Sequence, residues 1–417
     1  MQRRSPAYRG LAAGLLACEA RGWVWGEERR VEMKRWAVLF VSILAAACAN
    51  IPSTPPPVAL LNDQLFSAPS VSVSAAEIFA LSDDMRQYLA TEIAERVRAR
   101  GGGREGLFDA LYSTRQLSLE YDSVTTRNAA QAFAARSGNC LSLVIMTAAF
   151  AKEMGLAVQY QQVFVEDTVS RSDDMYFFIG HVNLSLGPRS AVDLSLGPGA
   201  SNLMTIDFIP PEERKKLRSR PISEQTIVAM YMNNRAAESL ARGEVNDAYW
   251  WARSAIRHDA GFMSSYNTLG IIYRRHGNLK EAESVLSYAL DREPLNAHVM
   301  SNLAGVLQGL GRGAESAALA RKLEQMDPNP AFRSFNLGVK AMQQGNYASA
   351  RDLFAKEVDR APYYHEFHFW LALAYVGLGE TENARSELKL ALEYSTTRKE
   401  HELYAAKLDR IRSSHLQ

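Results

Sequence analysis

Residues 263–294 read MSSYNTLGIIYRRHGNLKEAESVLSYALDREP, and this stretch decides the architecture of the C-terminal half. Tyr266, Leu269, Gly270 and Tyr273 fall at helical spacing before Gly277, and Ala282, Leu286 and Ala289 fall at helical spacing after it. Two helices joined at a glycine and stopped at Pro294 satisfy that pattern. The same signs return every 34 residues, with Gly243, Gly277, Gly311, Gly345 and Gly379 on one series and Pro294, Pro328 and Pro362 on another. One small residue per unit, at Gly270, Ala304, Gly338 and Ala372, lets the first helix approach the second. Ala248, Ala282, Ala350 and Ala384 do the same from the facing helix.

A helix-turn-helix unit of this period resembles the tetratricopeptide repeat family. Five repeats are expected over 229–398, beginning near Ala229, Met263, Ala297, Ala331 and His365. The first is weak, with Arg235 and Ser239 at apolar positions, and the third is degenerate at Ser316. Residues 399–417 are expected to cap the array with an amphipathic helix that buries Leu403, Ala406, Leu408 and Ile411. The resemblance implies an all-α superhelix whose concave groove takes a protein or peptide. Its expected groove-facing residues are Asn267, Ile271, Arg274, Phe335, Val339, Phe369 and Leu373. The Lys and Asn pattern that clamps a C-terminal carboxylate in some members is missing at Ile271, Gly305, Val339 and Leu373. The groove either holds a partner or packs in part on the preceding domain.

Composition narrows the rest. The chain has 417 residues, 47 Lys and Arg against 46 Asp and Glu, a formal net charge of +1 and 47% hydrophobic residues. This is too apolar for a disordered chain and too neutral for a non-specific nucleic-acid binder. No uninterrupted apolar run reaches the roughly 18 residues of a membrane-spanning helix. Three cysteines, Cys18, Cys48 and Cys140, do not make a disulfide framework.

Met33-Lys34-Arg35 followed by the apolar stretch from Trp36 to Ala47 has the parts of a secretory signal, with small residues before Cys48. Ala45-Ala46-Ala47-Cys48 resembles a bacterial lipoprotein signal, although Ala45 stands where Leu is usual. That resemblance implies a start at Met33, cleavage before Cys48 and lipidation of that cysteine. Ala49 after it implies the periplasmic side of the outer membrane of a Gram-negative bacterium. The Pro-rich stretch from Ile51 to Pro57 suits a tether over 48–74. A chain beginning at Cys48 carries 39 basic and 42 acidic residues, and Cys140 is then its only free thiol.

Residues 75–210 have a different texture. Helical stretches are expected at 75–100, ending at Gly101-Gly102-Gly103, near 107–117 and at 126–136. Ser137-Gly138-Asn139-Cys140 opens an apolar helix that ends at Met154-Gly155, followed by a strand over 157–165. Residues 175–186 and 191–196 suggest a hairpin, and 211–228, with the basic run from Arg214 to Arg220, a solvated linker. Residues 49–225 contain one cysteine, Cys140, and one histidine, His181. A cysteine at a helix N-terminus meets the positive end of the macrodipole, which favours a thiolate, and a histidine base completes a nucleophile pair. Asp193 is the natural orienting carboxylate. With an odd loop at 187–189 it faces Asn183, and His181 is its diagonal neighbour on the same sheet face.

Cys at a helix start, His in a strand and Asp in the next strand resemble the transglutaminase-like domain of the papain-like cysteine superfamily. The matching residues are Ser137 to Cys140, Gly180 to Asn183 and Val192 to Leu194. The resemblance implies an α+β domain with Cys140 as nucleophile, His181 as base, Asp193 as orienting group, the Cys140 N–H in an oxyanion hole and no cofactor. The expected whole is this α+β transglutaminase-like domain followed by an all-α tetratricopeptide-repeat superhelix. It would perform thiol-dependent amide hydrolysis or acyl transfer, or else serve as a non-catalytic adaptor. His365 and His368 share a helical face without further ligands nearby, so no metal site is expected.

Overall fold

The structure is a computed structural model and describes residues 57–113, 117, 119–122, 125–164, 169–172, 175–178, 181–187, 203–208, 218–327, 332–395 and 398–414. The signal-like segment, Cys48, Asp193 and residues 188–200 lie outside the described residues.

Ser82 accepts a hydrogen bond from the Met85 amide, so the first long helix, α1 (83–100), starts later than Ala75 and ends at Gly101. Helix α2 (103–113) and the short α3 (Ala129–Ala135) follow, the latter closed by a capping box between Asn128 and Gln131. Helix α4 (Cys140–Glu153) is buried at every position from Cys140 to Ala151. A helix apolar on all sides must be packed on all sides. Its neighbours are α2, α3, a four-stranded antiparallel sheet and the first helix of the repeats.

That sheet has the order β7 (Met204–Ile206), β6 (His181–Gly187), β3 (Ala157–Phe164), β8 (Arg218–Ile222). The short strands β1 (Glu120–Tyr121) and β2 (Ser137–Gly138) pair in parallel beside α4, and β4 (Val169–Ser172) pairs with β5 (Met175–Phe178). Two expectations change here. The strand paired with β6 on the side away from β3 is β7, at 204–206, whereas the expected 191–196 lies outside the described residues. The supposed linker is partly built into the fold, because Arg218 to Ile222 pair with β3 and Ser223 caps the next helix.

The repeats follow as α5 (Glu224–Ala241) and α6 (Val245–His258), α7 (Met263–His276) and α8 (Leu279–Arg292), α9 (Ala297–Gly309) and α10 (Gly313–Met326), α11 (Arg333–Gln343) and α12 (Tyr347–Arg360), and α13 (His365–Gly377) and α14 (Thr381–Glu393). Helix α15 (Arg398–Ser414) caps the end, burying Tyr404 and Leu408, while Leu403 and Ala406, expected on the buried side, are exposed. The five glycines of the 34-residue series all take the left-handed conformation at their turns, Gly277 with φ of 89°. A Cβ on Gly270 would lie 2.5 Å from Leu286 Cγ, which is the close approach the small residue permits.

The tether reading fails beyond Pro57. Leu60, Leu61, Leu65 and Phe66 pack on the first repeats, and Phe66 stacks on Tyr249 with ring centroids 4.0 Å apart. Asp63 takes a two-pronged ion pair from Arg253 at 2.7 and 2.8 Å and a bond from the Tyr249 hydroxyl at 2.6 Å. The apolar residues inside this stretch outweigh its Pro-rich start.

Candidate active site

Three separate elements bring the site together. Asn139 sits at the N-cap of α4 in extended conformation, and its side-chain oxygen accepts from the Ser142 amide at 2.9 Å and the Ser142 hydroxyl at 2.8 Å. This fixes the first turn, where Cys140 is 2% exposed. Gly138 is required just before it, since a Cβ there would lie 2.6 Å from Ser142 Cβ. On the neighbouring strand β6, His181 leads the register with Val163 opposite. The thiol of Cys140 stands beside the imidazole of His181, close enough to raise its pKa.

The carboxylate on the other side of the imidazole belongs to Asp207. His181 Nε2 donates to Asp207 Oδ1 at 2.6 Å, leaving Nδ1 for the thiol, and Asn183 Nδ2 donates to Asp207 Oδ2 at 2.7 Å. Leu184 faces Ile206 in the ladder, so the next pair in the register is Asn183 with Asp207. The relation expected of Asp193, opposite Asn183 and diagonal to His181, is therefore held by Asp207. All three side chains are buried, with Asp207 at 7% and His181 at 9%. Asn183 Oδ1 is buried without a partner among the described residues.

Electrostatics favour a charged imidazole. Burial would lower the pKa of His181, but Asp207 and Cys140 outweigh it and push it up to about 9. A buried carboxylate holding one ring nitrogen stabilises the imidazolium that forms when the other nitrogen takes a proton. Tyr121, unmarked by any motif, stands at the same point. Pairing of β1 with β2 sets it opposite Gly138, and its phenol faces the Cys140 backbone amide while the residue remains 43% exposed.

The expected groove residues divide. Arg274 is exposed, and Asn267, Ile271, Val339 and Leu373 are half-buried, Asn267 accepting from Asn302 Nδ2 at 2.8 Å. Phe335 is fully buried among Phe332, Phe354 and Phe367, and Phe369 stacks on Tyr404 of α15 at 4.8 Å. Both are corrected from groove to packing, because an aromatic at these positions finds a neighbour before it finds solvent. Both ring nitrogens of His368 face acceptors, Glu387 Oε2 at 2.6 Å and Pro362 O at 2.8 Å. That makes His368 a strut between helices and leaves it no free ligand atom. No group of three or more His, Cys, Asp or Glu suited to a metal occurs among the described residues, and no described helix is long and apolar enough to cross a membrane.

Comparison with known proteins bears on the repeats. The tetratricopeptide repeat family model matches residues 267–330 and 335–396, so the C-terminal half carries such repeats. Among solved structures, the chain is similar to YrrB, described as a TPR protein with an unusual peptide-binding site, at 20% identity and a TM-score of 0.24 over 43% of this chain and 92% of that one. It is similar to PilF of Pseudomonas aeruginosa at 20% identity and a TM-score of 0.29, over 46% and 88% of the two chains. A TPR protein of Thermus thermophilus gives 16% identity and a TM-score of 0.30, over 43% and 98%. No curated protein matches the chain.

Proposed function

We propose that the chain is a thiol-dependent acyl-transfer enzyme whose repeats bring a polypeptide to it. The repeats are a protein-interaction array. The observation that carries the catalytic reading is the unbroken line from Cys140 through His181 to Asp207 on three different elements, buried together. A lone cysteine, histidine or aspartate is commonly structural, and their ordered contact is not.

In this reading His181 already holds the Cys140 proton on Nδ1 when Sγ, as thiolate, attacks an amide carbonyl carbon. The tetrahedral intermediate collapses with transfer of that proton to the leaving amine, giving a thioester on Cys140. Water, or a second amine, then attacks the thioester with the now neutral His181 as base, the acyl carbon–sulfur bond breaks to release an acid or a new amide, and the proton taken up returns the Cys140–His181 pair to its starting state. The Tyr121 hydroxyl, beside the Cys140 N–H, is the group placed to donate to the oxyanion. Asp207 holds the tautomer. A transglutaminase-like ancestry accords with this order of residues. Attachment through a lipidated Cys48 to the periplasmic side of an outer membrane accords with the signal-like segment before it.

The test is labelling of the full chain by a thiol-reactive, peptide-like acyl probe. Labelling is expected at Cys140, lost in Cys140→Ala and at least about a hundredfold slower in His181→Ala. Undiminished labelling in His181→Ala overturns the reading and leaves the non-catalytic adaptor, which the near-complete burial of Cys140 favours.

A further inference from the structure

Helix α5 opens the repeats, yet it runs the length of the nucleophile helix α4 in the opposite direction. At one end Lys152 Nζ donates to Glu224 Oε1 at 2.8 Å, and the Tyr160 hydroxyl donates to Glu224 Oε2 at 3.0 Å. At the other end, 14 residues along α5, Glu238 Oε1 accepts from the Thr126 amide at 2.7 Å. The Thr126 hydroxyl accepts from Asn139 Nδ2 at 2.9 Å and Asn234 Nδ2 at 3.2 Å. Asn139 is the N-cap that fixes the first turn of α4, one residue before Cys140. A continuous chain of hydrogen bonds therefore leads from the first repeat through Thr126, 2% exposed, and Asn139, 4% exposed, to the nucleophile's own turn.

We infer that Glu238, on the first repeat helix, is a positioning residue for Cys140, so that the repeat array supplies part of the frame that holds the nucleophile against His181. The inference rests on the acyl-transfer reading. Its physical basis is that Cys140 and His181 stand on different elements, so their contact survives only while the first turn of α4 keeps its place. A displacement of about 1 Å between reacting groups costs on the order of a hundredfold in rate. Glu238 holds the Thr126 amide, and the Thr126 hydroxyl orients the amide group of Asn139. Removing the carboxylate leaves the buried Thr126 N–H without its partner, and the cap shifts to find another. Arg235 is the internal control, because it donates to Glu238 Oε2 at 2.6 Å without touching Thr126.

The experiment uses the full chain and compares wild type with Glu238→Ala, Glu238→Gln and Arg235→Ala. Iodoacetamide alkylation of Cys140 is followed as a function of pH, and hydrogen exchange is followed at the amides of Ser142 and Leu143. Glu238→Ala is expected to slow alkylation at neutral pH by about tenfold or more and to move the pH profile toward that of His181→Ala. Exchange in the first turn of α4 rises in the same variant. Glu238→Gln keeps an acceptor for the Thr126 amide and stays within about threefold of wild type, and Arg235→Ala behaves as wild type. Glu238→Ala matching Arg235→Ala in both readouts overturns the inference. If wild-type Cys140 shows the profile of a free cysteine, the acyl-transfer reading fails by itself. First-turn exchange then decides on its own, and unchanged exchange in Glu238→Ala overturns the positioning role. Should Glu238→Ala not fold, Asn234→Ala, which removes one bond to Thr126, is expected to shift both readouts in the same direction to a smaller extent, and no shift overturns the inference.

Discussion

At the scale of single residues, His181 joins chemistry to stability. Its pKa lies above its ordinary value, at about 9, because Asp207 and Cys140 outweigh the effect of burial. A group raised in the folded state contributes stability in full below its unfolded pKa of about 6.5, and that contribution disappears as pH rises through the folded value. At this depth the contribution is about 3 kcal/mol. The unfolding free energy of wild type minus that of Asp207→Asn, measured by urea titration, is therefore expected to be greatest near pH 6 and to narrow steadily toward about pH 10. A difference flat across that interval would mean that the bond does not depend on a charged imidazole. Tyr121 admits a sharper separation. Alkylation of a thiol creates no oxyanion, whereas acyl transfer does, so Tyr121→Phe is expected to leave iodoacetamide alkylation near wild type while lowering acyl-probe turnover by about tenfold to a hundredfold. Equal loss in both reactions would assign the phenol to packing instead.

At the scale of elements, the periodic parts were legible in sequence and the long-range pairings were not. Met263, Ala297 and His365 open helices where the 34-residue period places them, since each repeat is decided by its own residues and its neighbours'. Cys140 at the start of an apolar helix is an equally local fact, and so is His181 in a strand, although the single strand expected over 175–186 divides into β5 and β6 with different partners. The carboxylate is another matter. Val192-Asp193-Leu194 and Ile206-Asp207-Phe208 have the same apolar flanks, and only the strand that lands beside β6 decides which aspartate reaches the imidazole. The segment after Pro57 was hidden in a similar way, because its prolines suggest a tether while Phe66 supplies the anchor that docks it. Phe66 is 7% exposed against Tyr249, Tyr273 and His276, and its truncation to Ala is expected to destabilise the chain by about 3 kcal/mol. Val58→Ala, at a side chain 69% exposed, is expected to fall within about 0.5 kcal/mol of wild type. Equal effects in urea titrations of the two variants would show that the segment is not held through Phe66.

At the scale of the whole molecule, the array is interrupted once. Apolar packing runs without a break from Phe66 through the α+β unit to Leu307 in the third repeat. Helix α10 then buries no residue, where every other second helix of a repeat buries several, and it scarcely meets α11. Its sequence explains this, for Ala320 stands where Leu286 fills the second repeat and Ser316 stands where Ala282 does. A new core begins at Phe332, built on Phe335, Phe354 and Phe367, and a third around Leu388 and Leu408 joins it to the cap. Repeat arrays owe their cooperativity to interfaces between neighbours, so a missing interface divides the unfolding reaction. Urea unfolding is therefore expected to show two transitions. Trp370 lies against Phe335 in the second core, while Trp250 and Trp251 report the first, so a Trp370→Phe variant removes one fluorescence signal and keeps the other. Phe66→Ala should lower only the transition seen through Trp250 and Trp251, and Phe335→Ala, about 3 kcal/mol or more in cost, only that seen through Trp370. A single transition moved alike by both substitutions would show that α10 transmits folding across the gap. Two transitions would instead confine the Cys140 site and the first three repeats to one cooperative unit. A ligand held only by the last two repeats would then stabilise the second transition and leave the first in place.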